Sequence, residues 1–409
     1  MFIPKSNGAY KTIDNINVDK KHFESIKEAK LFIEQYKDVD NFKYYGLTNF
    51  TYTYIYDNFT LDINYDTSHI SIVSLDIECK ADEGFPNIKL ADKEITAITI
   101  RKNGKSFVFG CGDFINTDPN VTYVKCKNEY MLLSNFLRAW EFPSIKPDII
   151  TGWNIEMFDI PYLYNRIKNI ISEKDANRLS PWGLVNQKEV EFKGKLNQTY
   201  ELLGISTLDY YQLYRKFTFG NQESYKLDYI ASIELNEKKI DYSEYGSLLE
   251  LYKNNYQKFI EYNIKDVVLV DKLEDKLGFI QLVLSFAYDA KVNYNDVMTT
   301  VRPWDIIIHN YLMDRKTVIP QMTENVMDKP LAGGYVKEPK LGMSKWVVSF
   351  DATSLYPMLI QQYNISPDVF INKIEDFTSI KDIINGHYKN NTEYSVTANG
   401  CMFSKEKQG

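Results

Sequence analysis

The sequence predicts a mixed α/β protein with more than one domain, and three observations support this prediction. A length of 409 residues favours two or three domains. A hydrophobic content of 44% is enough for several buried cores. From residue 70 onward, apolar strand-like runs alternate with helical stretches, which is typical of a central sheet flanked by helices.

The predicted elements follow in order along the chain. A helical stretch at residues 23–36 precedes an aromatic, strand-like segment that begins at Phe50. Further strands are predicted at residues 70–76, 95–100 and 148–151, and two runs within 189–203 around Gly194 predict a hairpin. Further helices are predicted at residues 131–140, 160–171, 252–278 and 297–315, the last interrupted near Pro303. Gly333 and Gly334 indicate a linker, and residues 346–350 are predicted to form the first strand of a new domain.

Composition limits the class of protein. The net charge of −7 argues against a protein that simply coats nucleic acid, because such proteins are usually basic, but it is compatible with a nuclease. Four cysteines without C-x-x-C spacing, and only four histidines, argue against structural zinc. The apolar stretches fall below the roughly 20 residues of a membrane helix, and the N-terminus lacks a signal-peptide pattern. We therefore expect a reduced, cytoplasmic protein.

Three short motifs place carboxylates on the predicted elements. Asp76 and Glu78 end a buried strand and, two residues apart, face the same side of the sheet. Asp159 lies where a helix begins, after Asn154, which could hold the loop or contact a substrate phosphate. Tyr262 and Asp266 lie four residues apart on one face of a later helix.

Each motif also has an ordinary structural interpretation. Asp76 and Glu78 could be a solvated strand edge, Asp159 an N-cap carboxylate, and Asp266 a solvated helical residue. In this order and on these elements, however, chance is a poor explanation for all three.

The residue types suit phosphodiester hydrolysis at a DNA 3′ end. That reaction needs an in-line water and a stabilised leaving oxygen, and two metal ions about 4 Å apart serve both needs. Four carboxylates can hold two such ions, Mg²⁺ or Mn²⁺, and reduce the repulsion between them. The Tyr262 hydroxyl would orient the attacking water.

A different motif follows at residues 351–357. An apolar run is expected to deliver Asp351 to the tip of a strand, and Ser354, Leu355, Tyr356 and Pro357 form the expected turn. This pattern is the first half of a nucleotidyl-transfer site. No Asp-Thr-Asp turn follows it within the 409 residues. We therefore expect the chain to remove nucleotides but not to add them by itself.

Together these motifs resemble those of family B DNA polymerases. The three carboxylate motifs are similar to exonuclease motifs of the DEDD type with a tyrosine, and the Asp351 segment is similar to the first polymerase motif. Residues 151–170, 224–230 and 334–339 are similar to the replicative polymerases of T-even-like bacteriophages.

The resemblance implies a role for each motif residue. Four carboxylates would bind the exonuclease metals with help from Tyr262, namely Asp76, Glu78, Asp159 and Asp266. Asp351 would bind a polymerase metal, and the backbone at Ser354 and Leu355 would meet the incoming dNTP. Tyr356 would exclude a 2′-hydroxyl, its alternative being a core aromatic. The hairpin at 188–203 would separate primer from template, and the Gly333–Gly334 linker would contact template.

The resemblance also implies a domain order. A ribonuclease H-like 3′→5′ exonuclease domain (71–278) is flanked by an N-terminal α+β domain in two segments, 1–70 and 279–323. A linker and a partial polymerase palm occupy 324–409. The fingers, the thumb and the rest of the palm are not found, which fits either a naturally split polymerase with a second polypeptide or a fragment.

The expected function is therefore proofreading exonuclease of a phage replicative polymerase, in the cytoplasm of an infected bacterium. Its partners would be a single-stranded DNA 3′ end and primer–template, with dNTP only if the palm is completed. Two alternatives stay open: a non-catalytic assembly half of a split polymerase, and a stand-alone 3′ exonuclease for RNA or DNA.

Overall fold

A computed structural model describes residues 1–60, 65–80, 86–192, 195–320, 336–374, 385, 392–397 and 399–409. The chain divides into two units, Met1–Glu324 and Asn325–Gly409. None of the described helices has the length and apolar character needed to cross a membrane.

The described residues form fifteen strands and thirteen α-helices. The strands are β1 (Phe2–Pro4), β2 (Tyr10–Thr12), β3 (Asn17–Lys20), β4 (Ile72–Cys79), β5 (Ile95–Lys102), β6 (Lys105–Gly110), β7 (Val121–Lys125), β8 (Ile149–Thr151), β9 (Val185–Phe192), β10 (Lys195–Leu202), β11 (Ser206–Thr207), β12 (Thr317–Val318), β13 (Phe370–Lys373), β14 (Tyr394–Val396) and β15 (Cys401–Ser404). The α-helices are α1 (Ile26–Tyr36), α2 (Phe50–Asn58), α3 (Glu129–Trp140), α4 (Asp159–Ile170), α5 (Glu173–Ala176), α6 (Tyr210–Phe217), α7 (Leu227–Leu235), α8 (Leu248–Asn254), α9 (Tyr256–Leu277), α10 (Phe279–Ala290), α11 (Tyr294–Val297), α12 (Arg302–Asp314) and α13 (Leu355–Tyr363).

The first unit contains a small sheet in the order β1-β3-β2-β12. Strand β12 pairs in parallel with β2, so the chain returns after α12 to its first residues. The Tyr56 hydroxyl donates to Asp314 at 2.8 Å, which ties α2 to α12. The strand predicted from Phe50 is therefore wrong. Its aromatic residues form α2, because packing of Tyr52 and Tyr56 on one helical face outweighs their β propensity.

The larger sheet of this unit has the order β11-β8-β4-β5-β6-β7. Strand β4 is central, parallel to β8 and antiparallel to β5. Val73, Leu75 and Ile77 enter the core formed with α3 and α4. Because side chains alternate along a strand, Asp76 and Glu78 point to the other face, where α9 lies.

Most predicted elements of this sheet are confirmed. The strands at 70–76, 95–100 and 148–151 correspond to β4, β5 and β8, and the helices at 131–140 and 160–171 to α3 and α4. The hairpin is β9–β10, although its tip at 193–194 lies outside the described residues. The helix predicted at 252–278 is interrupted at Asn255, whose side chain caps α9 at Lys258 N.

The second unit contains α13 and a three-stranded sheet in the order β13-β15-β14. The strand predicted at 346–350 is wrong, since these residues form no strand. Trp346, Val347 and Phe350 are at least 77% exposed. A strand needs a neighbour for its backbone hydrogen bonds, and the described residues supply none here. The Gly333–Gly334 linker lies outside the described residues.

Candidate functional site

Three of the predicted carboxylates meet where β4 faces α9. One ligand oxygen from each of Asp76, Glu78 and Asp266 lies within 4.8 Å of the other two. Asp76 and Glu78 lie two residues apart on β4 and therefore face the same side of the sheet. Asp266 lies on the buried face of α9, which packs against that side. Among the described residues, it is the one group of three or more His, Cys, Asp or Glu residues found close enough to hold a metal ion.

The fourth carboxylate, Asp159, enters the same cleft from α4 but is not one of those three. It is the first residue of α4 and is 4% exposed. Its Oδ1 accepts a hydrogen bond from the backbone N–H of Ile77 at 3.0 Å, between the two β4 carboxylates. Asp159 is thereby tied to the strand that bears Asp76 and Glu78.

The cleft above the carboxylates has a volume of about 940 Å³. This lies near the upper end of ligand sites, which suits a substrate larger than a small metabolite. Aromatic and basic side chains line it beside the acids: Trp153, Phe158, Tyr211, Arg215, Tyr225, Lys226 and Lys239. The Arg215 guanidinium lies 5.6 and 5.3 Å from the ring centroids of Tyr211 and Tyr225.

Lys239 is a site residue that sequence reasoning missed. Its Nζ lies 2.5 Å from Asp266 Oδ2 and 3.2 Å from the Tyr262 hydroxyl. Burial lowers the pKa of Lys239, but the negative charge of Asp266 and its neighbours outweighs burial, so the pKa is raised. The lysine lies in a charged loop without helical or strand periodicity, so the sequence held no signal for it.

Asn263 is a second missed residue. It is completely buried on α9, and its Nδ2 donates to Asp76 Oδ2 at 2.5 Å. Its Oδ1 accepts from the Thr99 hydroxyl on β5. Asn263 therefore orients the Asp76 carboxylate. Asn263 directly follows Tyr262, which the sequence already placed in the site, and this adjacency could have identified it as a candidate site residue.

The electrostatics favour a bound cation. Burial raises the pKa of Asp76 well above its usual range, and repulsion from Asp266 and Glu78 adds to this. Burial likewise raises the pKa of Glu78 to about 8 and that of Asp159 to about 7. Within the described residues, Asp266 Oδ1 is buried and has no hydrogen-bond partner. Crowded carboxylate oxygens of this kind are the ligands that Mg²⁺ and Mn²⁺ prefer.

Tyr262 is largely buried, with 8% of its surface exposed. Burial, followed by the Asp266 charge, raises the pKa of its hydroxyl, so the phenol stays neutral. Tyr242 packs edge-on against it, with ring centroids 5.3 Å apart. A neutral, fixed hydroxyl beside the carboxylates is suited to hold a water molecule.

The second predicted motif lies in the other unit. Asp351 is exposed and does not end a strand, which corrects the expected strand tip. Ser354 has a left-handed backbone (φ 51°) and precedes α13. Leu355 and Tyr356 begin that helix and are 50% and 74% exposed.

Carboxylates from β4, α4 and α9 thus surround one cleft beside a buried tyrosine, an arrangement suited to holding divalent cations. Residues 16–230 match the exonuclease domain of DNA polymerase family B, which is more than half of the chain. Residues 303–408 match DNA polymerase family B itself. The chain belongs to this family.

Three curated relatives illustrate the match. The DNA-directed DNA polymerase of Escherichia phage RB69 is 36% identical over 95% of this chain. That of Enterobacteria phage T4 is 34% identical over 99%. The DNA polymerase delta catalytic subunit of Schizosaccharomyces pombe is 26% identical over 82%. The chain spans 46% and 47% of the two phage polymerases and 31% of the yeast protein.

Proposed function

We propose that the chain is the proofreading part of a replicative DNA polymerase and hydrolyses nucleotides from single-stranded DNA 3′ ends. The observation that supports this most directly is the meeting of Asp76, Glu78 and Asp266 oxygens within 4.8 Å, beside Asp159, at the floor of a cleft. Structural ion pairs seldom leave a carboxylate oxygen buried without a partner, as Asp266 Oδ1 is among the residues that the structure describes.

In this proposal the four carboxylates of the cleft hold two divalent ions, Mg²⁺ or Mn²⁺. Such ions, when bound, stabilise charge on the attacking and leaving oxygens. Two further side chains of the cleft assist the reaction. The Tyr262 hydroxyl positions the attacking water, and the Lys239 ammonium offsets part of the carboxylate charge.

The walls of the cleft suit a single strand. Trp153 and Tyr225 line the cleft, are not fully buried and have rings on which bases can stack, and Arg215 adds a positive charge beside Tyr225. Base stacking tolerates any sequence, as a proofreading site requires. Asn154 lines the cleft, where it can contact a phosphate.

For the second unit we propose the first half of a polymerase site. Asp351 would bind a metal ion, Ser354 and Leu355 would contact the incoming dNTP, and Tyr356 would exclude a 2′-hydroxyl. Synthesis would also need fingers, thumb and the rest of the palm, from a second polypeptide or a longer chain.

The proposed domain boundaries are 1–70 with 279–323 for the N-terminal domain, 71–278 for the exonuclease and 324–409 for linker and palm. The pairing of β12 with β2 supports the return of the second segment. The phage origin of the two most similar relatives named above favours the cytoplasm of an infected bacterium as the location.

The test uses a 5′-labelled primer–template and the corresponding single strand, with Mg²⁺ and all four dNTPs. We expect degradation without extension. Asp159→Ala should abolish degradation, whereas Asp175→Ala, which removes a carboxylate paired with Arg178 outside the cleft, should not. Equal digestion by wild type and Asp159→Ala would overturn the proposal in favour of a non-catalytic role. Faster digestion of an RNA strand of the same sequence would favour an RNA exonuclease.

A further inference from the structure

Asp209 is a buried carboxylate outside all the predicted motifs. It follows β11 and is 3% exposed. Strand β11 runs parallel to β8, so both strands end at the same edge of the sheet. Asp209, two residues after the end of β11, therefore meets the loop that follows β8 and leads to Asp159 and α4.

Both Asp209 oxygens are occupied by backbone N–H groups. Oδ1 accepts from Asn154 N at 2.8 Å and from Tyr211 N at 3.0 Å. Oδ2 accepts from Glu156 N at 3.0 Å. One side chain thus caps α6 through Tyr211 and, at the same time, holds two amides of the loop at 152–158.

That loop depends on an external anchor. Asn154 has a left-handed backbone (φ 66°), which asparagine adopts more readily than other non-glycine residues, and Asp209 holds this bend at Asn154 N and Glu156 N. The residue before α4 is Phe158, whose side chain has no hydrogen-bonding atom and cannot cap the helix. The position of Asp159 in the cleft therefore depends on how the loop is held as well as on the hydrogen bond from Ile77 N.

We infer that Asp209 is a positioning residue for the exonuclease reaction. It is not among the described residues that line the cleft, whereas Trp153 and Asn154 of the loop it anchors, and Asp159 directly after that loop, all line it. Asp209 thus acts through the loop: it sets the placement of the Asp159 carboxylate relative to Asp76 and Glu78. This inference rests on the proposed function.

Two substitutions separate the two tasks of Asp209. In Asp209→Ser, the hydroxyl can still cap α6 at Tyr211 N, because serine is a good N-cap, but it is too short to hold Asn154 N and Glu156 N. In Asp209→Asn, the shape is retained but an amide group replaces one accepting oxygen. Glu129→Gln is the matched control, since Glu129 is a buried carboxylate that accepts from Ile95 N and Arg166 away from the cleft.

Three quantities are measured at a temperature well below the Tm of every variant. They are kcat on single-stranded DNA, the Mg²⁺ concentration that gives the half-maximal rate, and the Mn²⁺ affinity by electron paramagnetic resonance. We expect both Asp209 variants to lose about 10- to 100-fold in kcat or metal affinity, the range for residues that orient metal ligands. Glu129→Gln should lose thermal stability but keep both values.

Wild-type kcat and metal affinity in Asp209→Ser would overturn the inference, because the capping role alone would then explain Asp209. A wild-type chain that binds Mn²⁺ but digests no DNA would instead contradict the proposed function. In that case the Mn²⁺ affinities of the variants still decide the role of Asp209.

Discussion

Replacing Asn263 by alanine tests whether the cluster depends on an orienting amide. The change removes one hydrogen bond to the Asp76 carboxylate and one from the Thr99 hydroxyl, at a site with no exposed surface. A hydrogen bond to a charged group contributes about 1.5–3 kcal/mol and a neutral one about 0.5–1.5 kcal/mol. We therefore expect Asn263→Ala to destabilise the fold by about 2–4.5 kcal/mol.

The expected effect on activity is separate from the effect on stability. Without its amide partner, Asp76 can rotate away from the cluster, and kcat should fall by about 10- to 100-fold. Asn165→Ala is a close control, because Asn165 is also buried and makes two hydrogen bonds, to Ile88 O at 2.9 Å and from the Tyr200 hydroxyl at 2.6 Å.

The assay combines urea unfolding with the rate of nucleotide release at a temperature where both variants are folded. We expect a loss of unfolding free energy in both variants, about 1–3 kcal/mol in Asn165→Ala because both of its hydrogen bonds are neutral, and a loss of kcat in Asn263→Ala alone. Equal kcat values in the two variants would refute the reasoning that Asn263 orients a catalytic carboxylate.

Other expected outcomes concern the tyrosine, the metal, pH and a buried ion pair. Tyr262→Phe should slow hydrolysis without weakening DNA binding in a filter assay; an unchanged rate would remove the hydroxyl from the mechanism. Ca²⁺ should raise Tm but support little cleavage, because its looser coordination misplaces the water. Burial raises the pKa of Glu78 from 4.5 to about 8, so the folded, metal-free protein holds a proton that the unfolded chain releases. Its stability should therefore fall as pH rises between these values, and Glu78→Gln should flatten that part of a Tm–pH series. Arg166→Met should destabilise the fold by about 3–5 kcal/mol in urea unfolding, since it leaves Glu129 buried without its ion pair; a loss below about 1 kcal/mol would contradict this.

Sequence reasoning succeeded where spacing within one element decides the outcome. The pair Asp76 and Glu78 lies on one side of β4, and Tyr262 and Asp266 lie on one face of α9, because periods of two and of about 3.6 residues are local properties. It failed at Phe50, where aromatic residues favoured a strand in isolation but formed α2. It failed again at 346–350, where an apolar run has no described strand beside it.

By itself, the sequence determined the family and the order of the motifs, and it supplied the residues on which the proposed chemistry rests, because motif residues are recognisable by type and spacing. Only the tertiary structure decided which distant residues support them. Lys239 reaches Asp266 from a loop without periodicity, Asn263 links β5 to β4 through α9, and Asp209 anchors a loop more than 50 residues away in the chain. Such contacts depend on which strands pair and on which face each helix packs, and these are properties of the whole fold.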